Sequence, residues 1–393
     1  MVGQQVRSFR IERGLSQGEL AERANVSVDL ISKLEQGTRQ TARLSSLTRL
    51  ANALDVDLGR LLDKRPRLAR GPDTGTLVAV RDVLVSADQL PGMDPDDGGA
   101  ASDVATLAGL LGTTWDRFQA GQFGRVAALL PGLIGECRAS VHAGDAAAAS
   151  PLAQAYQIAA RLMVYMGNYD LSAIATERAL TVVGRSDDEL LWANLHATFC
   201  WTLLNSGRHA DAESHAVRIA EQIEPTMSKA SAEHVAVWGG LLLKALAAAA
   251  AANRDAEARQ YISLARSGAS RLDREHTVYG WMQFGPTQVA VQETHAHTLL
   301  GRPTVALRAA RDVRRDQLLP LGWGRHLLDV ARSQLDRAAT SDVVTTLHRA
   351  HQVSPEWFRH QAIARAMVSE LVNQQRRLSP EVRALAQAAD FQE

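Results

Sequence analysis

Cysteine is nearly absent: Cys137 and Cys200 are the only two in 393 residues. That scarcity excludes a disulfide framework and the usual four-ligand zinc site, and both thiols are expected to be ordinary buried side chains. Aromatic residues make up 5% of the chain. With few β-branched runs and much Ala, Leu and Arg, the composition argues for an all-helical protein. Net charge is lacking as well, since 43 Lys and Arg meet 43 Asp and Glu. No signal-peptide-like segment opens the chain; the richest apolar stretch, 238–252, is interrupted by Lys244 and is too short to span a bilayer. Catalytic motifs are missing too: there is no Gly-rich phosphate loop, no Ser or Cys nucleophile elbow and no paired acidic motif. His295 and His297 stand two apart, so they point to different sides of a helix and lack a carboxylate at metal-ligand spacing. The expectation is a cytoplasmic protein that is not an enzyme, with no metal and no cofactor.

What charge there is lies unevenly. Residues 1–70 hold thirteen Lys/Arg and eight Asp/Glu, an excess of five cations that the remainder cancels. A local basic excess is what contact with a phosphate backbone requires. Within it, GLSQGELAERANVSVDLISKLEQG (14–37) contains two short helical patterns joined by a tight turn. Ser16 predicts the N-cap of a helix opening at Gln17, with Glu19 as its capping-box partner, and Leu20, Ala21 and Ala24 share one face. Asn25 ends that helix, Val26 fills the space beneath, Ser27 caps the next, and Gly37 supplies the backbone freedom to stop it. Ile31 and Leu34 then point inward, which leaves Val28, Asp29, Ser32, Lys33 and Gln36 outward. Such a pair reads as a helix-turn-helix whose second helix meets a major groove.

Residues 4–62 resemble the Cro/repressor (XRE) family of five-helix DNA-binding domains. GLSQ, ELA, the Ser27 start, LEQG and LTRLANAL all stand at that family's spacing. The resemblance implies helices near 4–13, 17–24, 28–35, 43–54 and 57–62. It also implies phosphate contacts from Gln17 and Ser27, base-facing positions at Val28, Asp29 and Lys33, and a structural ion pair between Arg10 and Glu35. Chemically, Lys33 donates to guanine O6 and N7, Val28 lies against a thymine methyl, and Asp29 accepts from a donor such as cytosine N4. Asp29 is also repelled by phosphate. Arg39 and Arg43 follow the recognition helix and are expected to clamp backbone or minor groove.

Beyond this head, residues 64–75 (KRPRLARGPDTG) combine basic charge with Pro and Gly and read as a hinge. A short amphipathic helix is expected at about 77–87, with Val80, Val83 and Leu84 on one side. The acidic, glycine-bearing stretch 91–103 reads as a tether. From about residue 104 the chain repeats: AGQFGRVAAL, MGNYDLSAIA, SGRHADAESH, ANRDAEARQY and LGRPTVALRA align at Gly121, Gly167, Gly207, Asn253 and Gly301. Spacings of 46, 40, 46 and 48 residues separate them. A small residue at a helix-helix turn followed by an alanine-bearing helix is the tetratricopeptide (TPR) pattern with lengthened units, which predicts stacked hairpins with a concave surface. Residues 327–351 and 358–391 complete the array.

The whole chain resembles actinomycete regulators that join an XRE head to a degenerate TPR body, and YGWMQFGPTQVAV (279–291) is similar to an FGPT-type segment of that group. The resemblance implies control of transcription in development or secondary metabolism, with small acidic proteins as partners of some members. More distantly the architecture resembles peptide-pheromone receptors, which bind a short peptide on the concave face. Polar and aromatic residues of first helices are the candidates for that groove: Asn194, Trp238, Gln288 and Gln292. Gly285-Pro286 is expected to break a helix or begin one.

The sequence therefore predicts an all-α protein in three parts: a five-helix Cro/repressor-like head (1–65), a linker with one short helix (66–103) and a TPR-like α-solenoid (104–393). The expected function is that of a DNA-binding transcriptional regulator, a homodimer on a palindromic or repeated double-stranded operator, whose body binds a peptide or small molecule. The alternative is a TPR scaffold controlled by a small partner protein and localised to DNA by its head. No membrane partner is expected, and the protein should lie with the nucleoid.

Overall fold

A computed structural model of the chain describes residues 2–39, 42–56, 58–61, 74–87, 101–184, 187–374 and 377–389. Most of the expected hinge and tether, at 64–73 and 91–100, lies outside the described residues. Among those described, every element is helical except two three-residue strands. The all-α class is therefore the observed one.

The head is built from α1 (Val2–Glu12), α2 (Gln17–Ala24), α3 (Val28–Glu35), α4 (Leu44–Ala53) and α5 (Leu58–Leu61). Ser16 Oγ accepts the Glu19 backbone N–H at 3.1 Å while Glu19 Oε2 accepts the Ser16 N–H at 2.7 Å, so both halves of the capping box form. Asn25 sits at φ 49°, the left-handed conformation that short polar side chains tolerate, and turns the chain into the Ser27 cap of α3. Val6, Leu20, Ile31, Leu50, Leu54 and Leu61 have no exposure and form the head's own core. Burying each large aliphatic side chain is worth about 1.5–3 kcal/mol. Gly3 is where α1 crosses the end of α3, and a Cβ there would overlap the Leu34 carbonyl.

The remainder is a stack of helical hairpins. α6 (Thr74–Leu84) buries Val80 and Leu84 against α8. The pairs are α7 (Val104–Gln119) with α8 (Phe123–His142), α9 (Ala149–Tyr165) with α10 (Tyr169–Val182), and α11 (Glu189–Asn205) with α12 (His209–Gln222). They continue as α13 (Ala232–Ala251) with α14 (Asp255–Ala269), α15 (Pro286–Leu299) with α16 (Pro303–Ala309), and α17 (Pro320–Asp336) with α18 (Thr340–Val353). Gly121, Gly167, Gly207, Asn253 and Gly301, the five residues aligned from the sequence, all have positive φ at the hairpin turns, and Ala338 joins them between α17 and α18. The repeat is thus a backbone requirement for a left-handed residue at each turn.

Three more helices follow among the described residues: α19 (Pro355–Arg359), α20 (Ala362–Gln374) and α21 (Pro380–Ala388). The stack curls far enough that α19 meets the first turn. Ser354 Oγ donates to the Gly121 carbonyl at 3.1 Å and Glu356 Oε1 accepts the Gly124 N–H at 2.7 Å. The concave side consequently becomes an interior.

α13 runs through its centre. Its 20 residues are apolar enough to cross a membrane by length and composition, a longer run than the 238–252 stretch singled out from sequence, but 89% of the apolar window is buried inside the protein. Alanine from 245 to 251, apart from Leu246, lets the neighbouring helices approach closely.

Strands interrupt the helical pattern where the sequence predicts only helices. β1 (His276–Val278) and β2 (Met282–Phe284) pair antiparallel through a tight turn at Tyr279 and Gly280, both at positive φ. Phe284 is fully buried against Gly239, where a Cβ would overlap its ring, and Met282 lies on Gly240. The hairpin is held because two successive glycines of α13 leave room for it. Pro286 then opens α15 at its first turn, as the Gly-Pro pair implied.

Candidate nucleic-acid interface

The head docks on the body through α4 and α5, away from α3. Asn52 Nδ2 donates to the Ala251 carbonyl at the end of α13 at 2.9 Å. Glu370 Oε2 of α20 accepts the Leu44 N–H at 3.3 Å, satisfying a donor that the first turn of α4 leaves unpaired. Gly207 fits beneath the Asp55–Val56 backbone, where any Cβ would overlap. Leu44 belongs to the body's apolar core, and Leu58 packs on both cores.

This leaves the outer face of α3 in solvent. Val28, at the start of α3, is 48% exposed. Asp29, Lys33 and Gln36 are exposed beside it, Ser27 is exposed at the cap, and Ser32 is half-buried. Lys33 Nζ lies 2.8 Å from Asp29 Oδ2, with the two side chains 55% and 69% exposed. Exposed i,i+4 pairs are worth about 0–1 kcal/mol, so this one opens at little cost and frees the ammonium for a base edge. Gln36 Nε2 donates to Ser32 Oγ at 3.1 Å. Arg39 and Arg43 are exposed on the segment that follows.

Behind that face, Arg10 Nε and Nη2 donate to the two oxygens of Glu35 at 2.7 and 2.8 Å, and Gln17 Nε2 donates to Glu35 Oε2 at 2.8 Å. The ion pair implied by the resemblance is present. It also buttresses Gln17: the bidentate carboxylate fixes the amide at the first turn of α2, where backbone N–H groups are open to an anion. Burial alone would push the Glu35 carboxyl up, but hydrogen bonds from Arg10 and Gln17 and the Arg10 charge outweigh it and hold the group below its ordinary value.

The four residues predicted for the body groove are dispersed. Asn194 has no exposure; its Oδ1 accepts from Trp281 Nε1 at 3.0 Å and from Gln157 Nε2 at 2.5 Å, and its Nδ2 donates to Met282 Sδ at 3.5 Å. It anchors the β-hairpin from inside the core. Trp238 is 7% exposed and packs on Gly268. Gln288 is half-buried in the first turn of α15, where its backbone N–H donates to Glu275 Oε1 at 3.2 Å. Gln292 alone of the four lines the interior cavity, together with Trp201, His209, Lys244, Arg325, Asp329 and Arg332. Sequence reasoning passed over Lys244, although a lone cation in an otherwise apolar stretch was its signal.

Capped helices, a left-handed turn and an outward second helix define the head as a helix-turn-helix domain. Comparison with known proteins agrees: residues 2–63 match the family model described as "Helix-turn-helix domain". Over 65 residues the chain is 34% identical to the HTH-type transcriptional regulator SinR of Bacillus subtilis (strain 168) and 32% identical to SinR of Bacillus licheniformis. Each match covers 16% of this chain and 59% of the relative, so the chain spans less than two thirds of the curated relatives it matches. No solved structure matches the chain.

Proposed function

We propose that the protein is a sequence-specific DNA-binding transcriptional regulator in which residues 1–65 read an operator and a TPR-like body, 104–393, binds an effector and holds two copies together. The observation that carries this reading is the α3 face. Val28, Asp29 and Lys33 stand in solvent on a rigidly capped helix while the opposite side of the head is committed to the body. One head offers a small contact area, and a single module buries only about 600–1,000 Å² on DNA. Useful affinity calls for a homodimer on a palindromic or repeated site. Recovery of DNA from sheared genome by the purified protein tests the proposal. Enrichment of a few fragments sharing one motif, lost in Val28→Asp/Lys33→Ala, supports it; unenriched fragments refute it.

A further inference from the structure

The interior left by the curled stack is not filled. Between the first helices of the hairpins and the docked head lies a cavity of about 300 Å³. Trp201 of α11, Lys244 of α13, Gln292 of α15 and Arg332 of α17 contribute to its wall, and Thr48 and Asn52 of α4 close it from the head. At the small end of ligand sites, such a volume suits a metabolite-sized molecule rather than an extended peptide.

Charge around this space is one-sided. Lys244, Arg325, Arg332 and Arg365 line it against a single carboxylate among the described residues, Asp329. That carboxylate pairs through Oδ1 with His295 Nδ1 at 3.0 Å and lies 3.8 Å from Arg325 Nε, its Oδ2 making no hydrogen bond. One layer behind, the Arg161 guanidinium lies 3.8 Å from the Trp281 ring centre and 4.7 Å from that of Trp201, while Lys244 Nζ is 5.3 Å from Trp281. Two cations therefore share one indole. Arg161 Nε and Nη1 are buried with no acceptor, and among the described residues neither Arg161 nor Lys244 has an ion-pair partner. Burial first, and the Arg161 charge second, pull the Lys244 ammonium down to about 8, which leaves it mostly charged at neutral pH. Ring faces attract cations, but they do not cancel two desolvated like charges; an anion does.

The geometry points to an anion-binding site in which a small carboxylate- or phosphate-bearing molecule seats on Lys244 beside Trp201, within reach of α4. The occupant would touch body and head together, so its binding and the head's docking are linked. This consequence rests on the effector reading above, but the site itself is assayed without DNA.

Isothermal titration and thermal unfolding of the full chain, at constant ionic strength, test it with citrate as the carboxylate probe and pyrophosphate as the phosphate probe. Sodium chloride and glycerol are the controls. The expected result is saturable binding of at least one probe, weakened about tenfold or more in Lys244→Met and unchanged in the exposed variant Lys229→Met. Without anion, Lys244→Met should unfold at or above the wild-type temperature, because an uncompensated buried charge has been removed. Citrate alone would assign the site to carboxylates, pyrophosphate alone to phosphates. Three results overturn the inference: no saturable binding of either probe, equal affinity in Lys244→Met, or earlier unfolding of that variant without anion. Anion binding in a protein that retains no specific DNA would keep this site and sink the operator reading instead.

Discussion

Arg10→Met removes one partner of the pair that holds α1 to α3. Glu35 is 4% exposed and Arg10 14%, and Arg10 Nη1 also donates to the Leu15 carbonyl at 2.8 Å. Breaking a buried pair from one side costs about 3–5 kcal/mol, because the remaining charge is left in a poor medium. Gln17 keeps one hydrogen bond to the carboxylate, so the lower figure, about 3 kcal/mol, is expected. That is a large share of the total for a domain whose stability is of order 5–15 kcal/mol. The assay can separate head from body, since all seven tryptophans lie at residue 115 or later. Tryptophan fluorescence then follows the body, and amide exchange at Ile31 and Leu34 follows the head. Arg10→Met should raise exchange in α3 roughly a hundredfold while the fluorescence midpoint stays put. Acid dependence weakens as well. In the wild type the depressed Glu35 contributes stability that is present above the ordinary value of 4.5 and is lost as pH falls through its lower folded value. With Arg10 gone, its hydrogen bonds and charge no longer offset burial, so the head's loss of stability toward acid should shrink. Unchanged α3 protection in Arg10→Met, or an equal loss in Lys33→Ala, would refute the reasoning.

Two further substitutions probe how the parts are held. Gly207→Ala places a side chain at φ 88° against the Asp55–Val56 backbone. The strain alone is about 1 kcal/mol, and the overlap should undock the head, seen as faster exchange of the Leu44 amide with α3 protection retained. Gly239→Ala forces Phe284 from its seat; overpacking costs about 1–3 kcal/mol, and Trp281 emission should shift red as the hairpin loosens.

Much of the head was legible because its signals are local. Ser16, Glu19, Asn25, Ser27 and Gly37 each act within a few residues, and the structure uses them as caps and turns. The hairpin turns were legible for a similar reason: a left-handed backbone restricts residue choice at Gly121, Gly167, Gly207, Asn253 and Gly301. The β-hairpin was not. Its strands are three residues long, and Tyr-Gly is a weak turn signal beside Asn-Gly. Groove residues were harder still. α11 and α13 are buried on nearly every side, so no polar face marks the interior, and Asn194 reads the same whether it holds a ligand or a tryptophan. The docking of Asn52 and Leu44 depends on residues 199 and 326 positions away, beyond any local pattern.

The central claim is that α3 meets a duplex. Fluorescence anisotropy with a fragment recovered from genome, repeated across salt, tests it most directly. Affinity should fall linearly on logarithmic axes; Arg39→Ala and Arg43→Ala should each reduce the slope by about one, and Lys33→Ala should weaken binding by about 1–3 kcal/mol at one base position. Binding that ignores salt and tolerates Lys33→Ala would contradict the account.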